Sequence, residues 1–425
     1  MKIEVTEISP VKKTLSIEAS EDEVSRETEA VVRRWASQVR IPGFRQGKVP
    51  VDLVRKRFAK EIQDDVRERL VSRLYAEAAR EKGFRPLGDP VLDELKAEEG
   101  QPFTFKTTFE VLPEFAVKDY KGVEVRESAP QVGEAEIDEA LDQLRNAHAR
   151  YLAEEGRAAA AGDLLVADVT EAVDGEEPRT RERAMLEVGL TDQVPAFNDA
   201  IHGAKPGDDL DFHVVYPADF AIERLAGRNA RYQIHVHEVK RRELPALDDE
   251  FAKDMGDFES FAALRERIRR DLEDRKLAEV RSATRQAVLD KVLLENPVAL
   301  PEILVEDEIR ERLEDMVRAM MYHGVDPRTA EIDWKAARDR QEEPARKTVH
   351  ARLVLDAVAK AESITVDRAE VEARISREAE RIGEKPAAVR ERLSKGAGMQ
   401  ALEIQMVREK SLDFLTSVAN IRRAE

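Results

Sequence analysis

The sequence predicts a multidomain α+β protein: an N-terminal α+β domain, a central β-rich domain and a C-terminal all-helical domain. Three observations carry this. The chain has 425 residues, too many for one ordinary core at about 100–200 residues per domain. Apolar residues alternate with a period of two near the amino terminus and again between residues 163 and 242. After Pro245 the apolar spacing changes to three and four.

Residues 1–20 read as a hairpin, with Ile3, Val5, Leu15 and Ile17 on strand faces and Ser9-Pro10 at the turn. A helix follows from about Asp22 to Val39. After a Pro/Gly loop, one long helix is expected from Val51 to Lys82, stopped by Gly83 as a left-handed cap. Phe103, Phe105, Thr107, Phe109 and Val111 alternate as a strand, and the first domain closes at residue 113. Residues 114–162 form a connector expected to pack on the helical domain, its Ile137, Leu141 and Leu144 at helical spacing. Between residues 163 and 242, strands are expected over Leu164–Val169, Met185–Val188, Leu210–Val215 and Tyr232–Val239. A short helix starts at Pro195 and ends before Gly203. Residues 243–425 are helical, with Phe261, Leu264, Ile268 and Leu272 on one stripe, and Ile309 and Leu313 followed by Val349 and Leu353 on others. Pro297, Pro301, Pro327, Pro344 and Pro386 punctuate the helices, and Asp367 with Glu370 forms a capping arrangement.

Composition narrows the chemistry. Cysteine is absent, which excludes disulfide frameworks, thiolate metal sites and a cysteine nucleophile, and fits a reducing cytoplasm. The amino terminus has no apolar signal core, and no apolar run reaches the roughly 18 residues that span a bilayer, so neither membrane insertion nor export is expected. The formal charge is −18, yet the stretch from Arg33 to Lys60 holds nine positive residues and one negative. A basic patch in an acidic chain orients it toward a polyanion.

Inside that patch lies Arg40-Ile41-Pro42-Gly43-Phe44-Arg45-Gln46-Gly47-Lys48-Val49-Pro50. It is not a nucleotide-binding P-loop, because three residues rather than four separate Gly43 from the Gly47-Lys48 pair, and Val49 stands where Ser or Thr would hold magnesium. Its glycines and prolines fix a protruding turn with an aromatic and two cations at the tip, a shape suited to docking. Gly43 to Pro50 resembles the ribosome-binding signature Gly-Phe-Arg-x-Gly-Lys-x-Pro of the bacterial trigger factor family. Phe103 to Phe115 and Arg242 to Gly256 are similar to that family too.

The resemblance covers the whole chain and implies a ribosome-binding domain over 1–113, the 114–162 connector, an FKBP-type isomerase-like domain over 163–242 and a helical chaperone domain over 243–425. It implies an ATP-independent chaperone without cofactor or metal. The expected partners are the large ribosomal subunit near the exit tunnel, through ribosomal protein and rRNA, and nascent or unfolded polypeptides. A homodimer away from the ribosome is also compatible with it. Gly43, Phe44, Arg45 and Lys48 are the implied ribosome contacts. Val194, Phe197, Phe220 and Tyr232 fall at the walls of the proline-isomerase pocket. Elsewhere the pocket departs from the family: Val169 replaces one aromatic, Pro178-Arg179 replaces a Phe-acid pair, and Ala184, or Met185 in an alignment shifted by one, replaces another aromatic. Peptidyl-prolyl cis-trans isomerase activity is therefore expected to be weak or lost.

Other side chains have plainer readings beside functional ones. His235 and His237 share a strand face and, with His213, have the types needed for a metal, but the ordinary reading is a solvated face, and no metal is expected. Met316, Met320, Met321, Met399 and Met406 fill cores or offer adaptable client contacts. Two rival functions are an enzyme that is chiefly a proline isomerase, which needs an intact pocket, and an RNA-binding protein using the 33–60 segment. For the latter only Trp35, Phe44 and Phe58 supply stacking surfaces.

Overall fold

The computed structural model describes the chain except residues 43, 46, 98–101, 191–192, 223, 331 and 424–425. It divides into two compact units, residues 1–128 with 281–425, and residues 129–280.

The first unit begins with the hairpin β1 (Lys2–Ser9) and β2 (Lys12–Ala19), then α1 (Glu21–Gln38), α2 (Val51–Arg57), α3 (Ala59–Glu81), β3 (Pro86–Lys96) and β4 (Phe103–Val111). The four strands pair antiparallel in the order β1-β2-β4-β3. Ser20 starts α1 through a capping box with Glu23, which satisfies amides at both ends of the first turn. Leu15, Ile17, Phe105 and Phe109 from the sheet meet Val32, Leu70 and Leu74 from the helices in one core. The expected helix from Val51 to Lys82 is two helices. Phe58 leaves helical geometry (φ −118°, ψ 33°) and sets its ring 5.5 Å from that of Trp35 on α1. Burying that aromatic bends the chain, while amide bonds from Phe58 to Val54 and from Ile62 to Phe58 carry the ladder through. Strand β5 (Glu124–Glu127) ends this stretch.

The second unit holds α4 (Glu134–Ala147), β6 (Arg150–Ala153), β7 (Leu164–Val173), β8 (Arg179–Glu187), α5 (Pro195–Ile201), β9 (Asp209–Val215), β10 (Asn229–Glu243) and α6 (Asp249–Met255). Its sheet runs β6-β10-β7-β8, with β9 also paired to β10. Leu165, Ala167, Val169, Ile234 and Val236 make the sheet's core with Phe197 and Ile201 of α5. Helix α4 buries Ile137 and Leu141 against Phe251 of α6 and against Leu264 and Leu272 of the long helix α7 (Phe261–Glu295). Asp163 is buried at the entry to β7. It accepts from Arg157 Nε at 2.9 Å and from the amides of Ala160 at 3.0 Å and Arg242 at 3.3 Å.

The first unit resumes with α8 (Glu302–Tyr322), α9 (Trp334–Glu362), α10 (Arg368–Ile382), α11 (Pro386–Ser394), α12 (Gly398–Val418) and β11 (Asn420–Arg423). Val305 and Ile309 of α8 pack on Val349 and Leu353 of α9, so the two apolar stripes face each other. Asp367 and Glu370 form the capping box expected of them. Pro344 does not end a helix; it lies inside α9 on the exposed side, and Arg340, whose carbonyl it deprives of an amide, is exposed too. Val125 of β5 enters a core with Val288, Val292, Val354 and Leu415, and β11 pairs parallel to β5 in register Asn420 to Glu124 through Arg423 to Glu127.

Candidate functional site

The basic loop is clamped at both ends. Ile41 and Val49 are buried in the first core, so the chain between them must turn outward. The amide of Phe44 donates to Ile41 O at 3.0 Å, and the amide of Lys48 donates to Arg45 O at 2.9 Å. Gly47 takes φ +80°, a conformation that costs other residues free energy. Phe44 is 43% exposed, and Arg45 and Lys48 are exposed beside it. Gly43 lies outside the described residues.

Ion pairing sharpens the picture. Arg33 pairs with Glu29 on its own helix, and Arg34 pairs with Asp65. Among the described residues, Arg40, Arg45, Lys48, Arg55, Lys56, Arg57 and Lys60 have no acidic partner, although most cations elsewhere in the chain do. The loop and α2 thus present an unneutralised field with one exposed aromatic at its tip. Such a surface attracts phosphate, and its attraction weakens with salt.

The second unit holds a cavity of about 360 Å³ on one face of its sheet. Phe197 and Tyr232 form its floor, their rings edge to face at 5.0 Å, and Phe220 closes one side with its ring 4.6 Å from that of Tyr216. Val169, Ala184, Leu186 and Leu225 add apolar wall. Val194 does not line the cavity. It caps α5, and its carbonyl accepts from the amide of Phe197 at 2.9 Å, so it positions the helix that carries the floor aromatic. The choice between Ala184 and Met185 is resolved by a bulge. Ala167 pairs with Ala184 but Val169 pairs with Arg181, so β8 inserts an extra residue; Arg183 takes φ +48°, and its amide donates to Asp168 Oδ1 at 2.7 Å. This puts Ala184 in the cavity wall and leaves Met185 70% exposed.

Below the aromatics runs a polar chain that the sequence reading missed. Tyr216 and Tyr232 share a hydrogen bond of 2.7 Å, Tyr232 donates to Glu171 Oε1 at 2.8 Å, and Arg224 binds Glu171 Oε2. Burial, then the neighbouring Tyr216 and Glu171, push the Tyr232 hydroxyl far above the usual phenol range. Burial also raises Tyr216. Both phenols stay protonated at any ordinary pH. Glu171 has each oxygen committed, so among the described residues that line the cavity there is no free base and no activated nucleophile. What the cavity can do is desolvate an apolar segment against neutral phenols whose protons are already committed to one another and to Glu171. The available signal was Glu171 itself, a carboxylate at an apolar phase of the run Leu165, Ala167, Val169, Glu171, Val173.

The remaining candidates separate. Met316 and Met320 are half-buried on α8, and Met321 is 63% exposed at its end. Met406 is buried in the core of α10 to α12, and Met399 packs on the same core, so these two serve packing rather than an open surface. His235 Nδ1 lies 2.7 Å from Asp209, and His237 Nε2 lies 2.9 Å from Asp168. Among the described residues no three His, Asp or Glu are placed to hold a metal ion, and no helix is long and apolar enough to cross a membrane.

Residues 1–144 match the family model described as bacterial trigger factor protein, and residues 260–417 match the model of its C-terminus. The trigger factor of Solibacter usitatus is 33% identical over 95% of this chain and 96% of its own length. That of Moorella thermoacetica is 33% identical over 98% and 94%. A solved structure described as "Promiscuous Substrate Recognition in Folding and Assembly Activities of the Trigger Factor Chaperone" superposes with a TM-score of 0.55 at 21% identity, covering 98% of this chain and 99% of that one, which shows the shared fold. Matched by family models at both ends and by relatives along nearly its whole length, the chain belongs to the trigger factor family.

Proposed function

We propose that this protein docks at the large ribosomal subunit through Phe44, Arg45 and Lys48 and shelters emerging polypeptides without ATP. As a member of its family it is a ribosome-associated chaperone, and that family binds ribosomes and nascent chains and carries an FKBP-type peptidyl-prolyl isomerase domain. The finer assignment rests on the field of unpaired cations around a clamped, aromatic-tipped loop. Residues 1–113 dock, 163–242 form the isomerase-like domain, 243–425 hold clients, and 114–162 connect them. The protein works in the cytoplasm, and Met316, Met320 and Met321 are the methionines available to clients.

The test is cosedimentation with ribosomes. Replacing Phe44, Arg45 and Lys48 by Ala should abolish pelleting while circular dichroism stays unchanged, and wild-type pelleting should weaken as salt rises. Retained pelleting by the folded triple variant would overturn the assignment.

The cavity supports a second activity, weak proline isomerisation. Phe197, Phe220 and Tyr232 enclose part of a prolyl ring's surroundings, but Val169 and Ala184 leave wall missing. A segment can be held there with less of the selective grip on a twisted amide that lowers the barrier.

A further inference from the structure

The strand that borders the cavity carries a charge that the apolar walls do not explain. In antiparallel sheets, directly opposed residues project to the same face. Arg179 is opposed to Glu171 and Arg181 to Val169, so both arginines stand on the face that bears the cavity, and both line it. Thr170 and Thr180 point to the other face and hydrogen-bond there at 2.9 Å. Beyond Arg181 the bulge returns Ala184 and Leu186 to the cavity side, which confines the cations to one end of the mouth.

Their commitments differ. Arg224 is bound to Glu171 and reaches Glu176 at 3.4 Å, Arg228 pairs with Glu176 at 2.9 Å, and Arg179 lies 3.7 Å from the same Glu176. Arg181 is exposed and has no acidic partner among the described residues. An unpaired guanidinium at the lip of an apolar pocket is available to a carboxylate arriving with whatever the pocket holds.

The geometry points to a substrate preference: the cavity selects prolyl segments with an acidic residue next to the proline, and Arg181 is the residue that reads the carboxylate. This rests on the reading of the cavity as a prolyl site. Selection here is a matter of charge rather than of the apolar fit of the neighbouring side chain, so it survives replacement of Arg181 by Lys and not by Gln.

Binding of short fluorescent peptides to the full-length protein tests it, in a series with Glu, Gln or Lys on either side of a proline, each with an Ala-for-Pro control. An exposed pair of this kind predicts about threefold tighter binding of Glu than Gln in at least one position, with Lys weaker still. The ratio should collapse in Arg181→Gln, persist in Arg181→Lys and shrink in high salt. If the proline peptides bind better than their Ala controls but show no Glu preference at either position, or if the preference persists in Arg181→Gln, the acidic selection is wrong and the prolyl reading stands. If proline and Ala peptides bind alike, or neither binds, the prolyl reading itself fails and the selection falls with it.

Discussion

The carboxylate of Glu110 accepts the backbone N–H of Ile303 at 2.9 Å, so strand β4 supplies the N-terminal cap that α8 lacks, its own Pro301 offering no side chain for the purpose. Beside it, Gly88 of β3 has φ +65° and lies against the Ile303 side chain with no room for a β-carbon. A hydrogen bond and a close approach thus fasten the N-terminal sheet to one helix end.

Two substitutions separate these parts. Glu110→Ala should cost about 1 kcal/mol, the usual loss for an N-cap. Gly88→Ala should cost about 1–3 kcal/mol, part from the left-handed φ and part from displacing the end of the Ile303 side chain, and only the second part should be relieved in an Ile303→Ala background; a double-mutant cycle by denaturant unfolding should show coupling of about 1 kcal/mol or less. Strict additivity would mean that the two residues do not touch.

Asp163 predicts an acid sensitivity in the second unit. Its burial opposes ionisation, but the Arg157 guanidinium and the amides of Ala160 and Arg242 prevail and hold its carboxyl below the usual range. A carboxylate depressed in the folded state contributes stability that is complete above its unfolded pKa of about 4 and is lost as pH falls through the lower folded value. Asp163→Asn should therefore destabilise by about 2 kcal/mol at neutral pH, within the range for hydrogen bonds to charged groups, and the gap from wild type should narrow below about pH 4. A gap unchanged from pH 7 to 3 would contradict this.

Isomerase activity should be weak and should depend on Phe220. On a short prolyl peptide, Phe220→Ala should remove what activity the full-length protein has. Tyr232→Phe should instead show mainly in stability, losing about 1–3 kcal/mol as Glu171 Oε1 is left without its donor. Turnover equal to that of a fully enclosed FKBP-type enzyme would show that the thin wall at Val169 and Ala184 does not matter.

Under the proposed function the helices hold clients, and the ends of the sheet segment make that testable. The amide of Arg242 donates to the side chain of Asp163, so the ends of the 163–242 segment lie side by side. A chain lacking that segment, joined by a short linker, should still suppress aggregation of a refolding protein without nucleotide. Loss of suppression by a folded deletion, with suppression by residues 163–242 alone, would move client binding to the sheet domain.

Legibility varied with the source of each signal. Strands and helices with strong periodicity, such as Phe103 to Val111 and the stripe through Ile309 and Leu313, were readable because burial on one face leaves its period in the sequence. The Gly/Pro loop was readable because turn chemistry is local. Strand β8 was only half visible: a strand was expected from Met185 but not over Arg179 to Arg183, because an edge strand with a solvated rim needs no alternation. The Phe58 bend and the pairing of β5 with β11 depend on partners 23 and almost 300 positions away, which no local window contains. The Tyr216, Tyr232, Glu171 and Arg224 chain was hidden for the same reason, since its members come from different strands and a loop.

The parallel pairing of β5 with β11 also dictates an order of events during synthesis. Residues 129–280 form one continuous stretch that contains all the partners of its own sheet and can close as soon as that stretch is free. Residues 3–111 hold a sheet and a core of their own, but the segment from Phe115 to Glu127 waits until residues 415–423 are made, because Val125 packs with Leu415 and Arg422 must reach Glu124 and Arg423 must reach Glu127. Completion in that order leaves the short stretch around β5 without its partners for most of translation. A ribosome-stalled chain ending near residue 300 should thus resist protease over residues 129–280 while residues 112–128 remain more readily cut than in the finished protein, so in a helper of other nascent chains the seam between its own two ends is the last part to close.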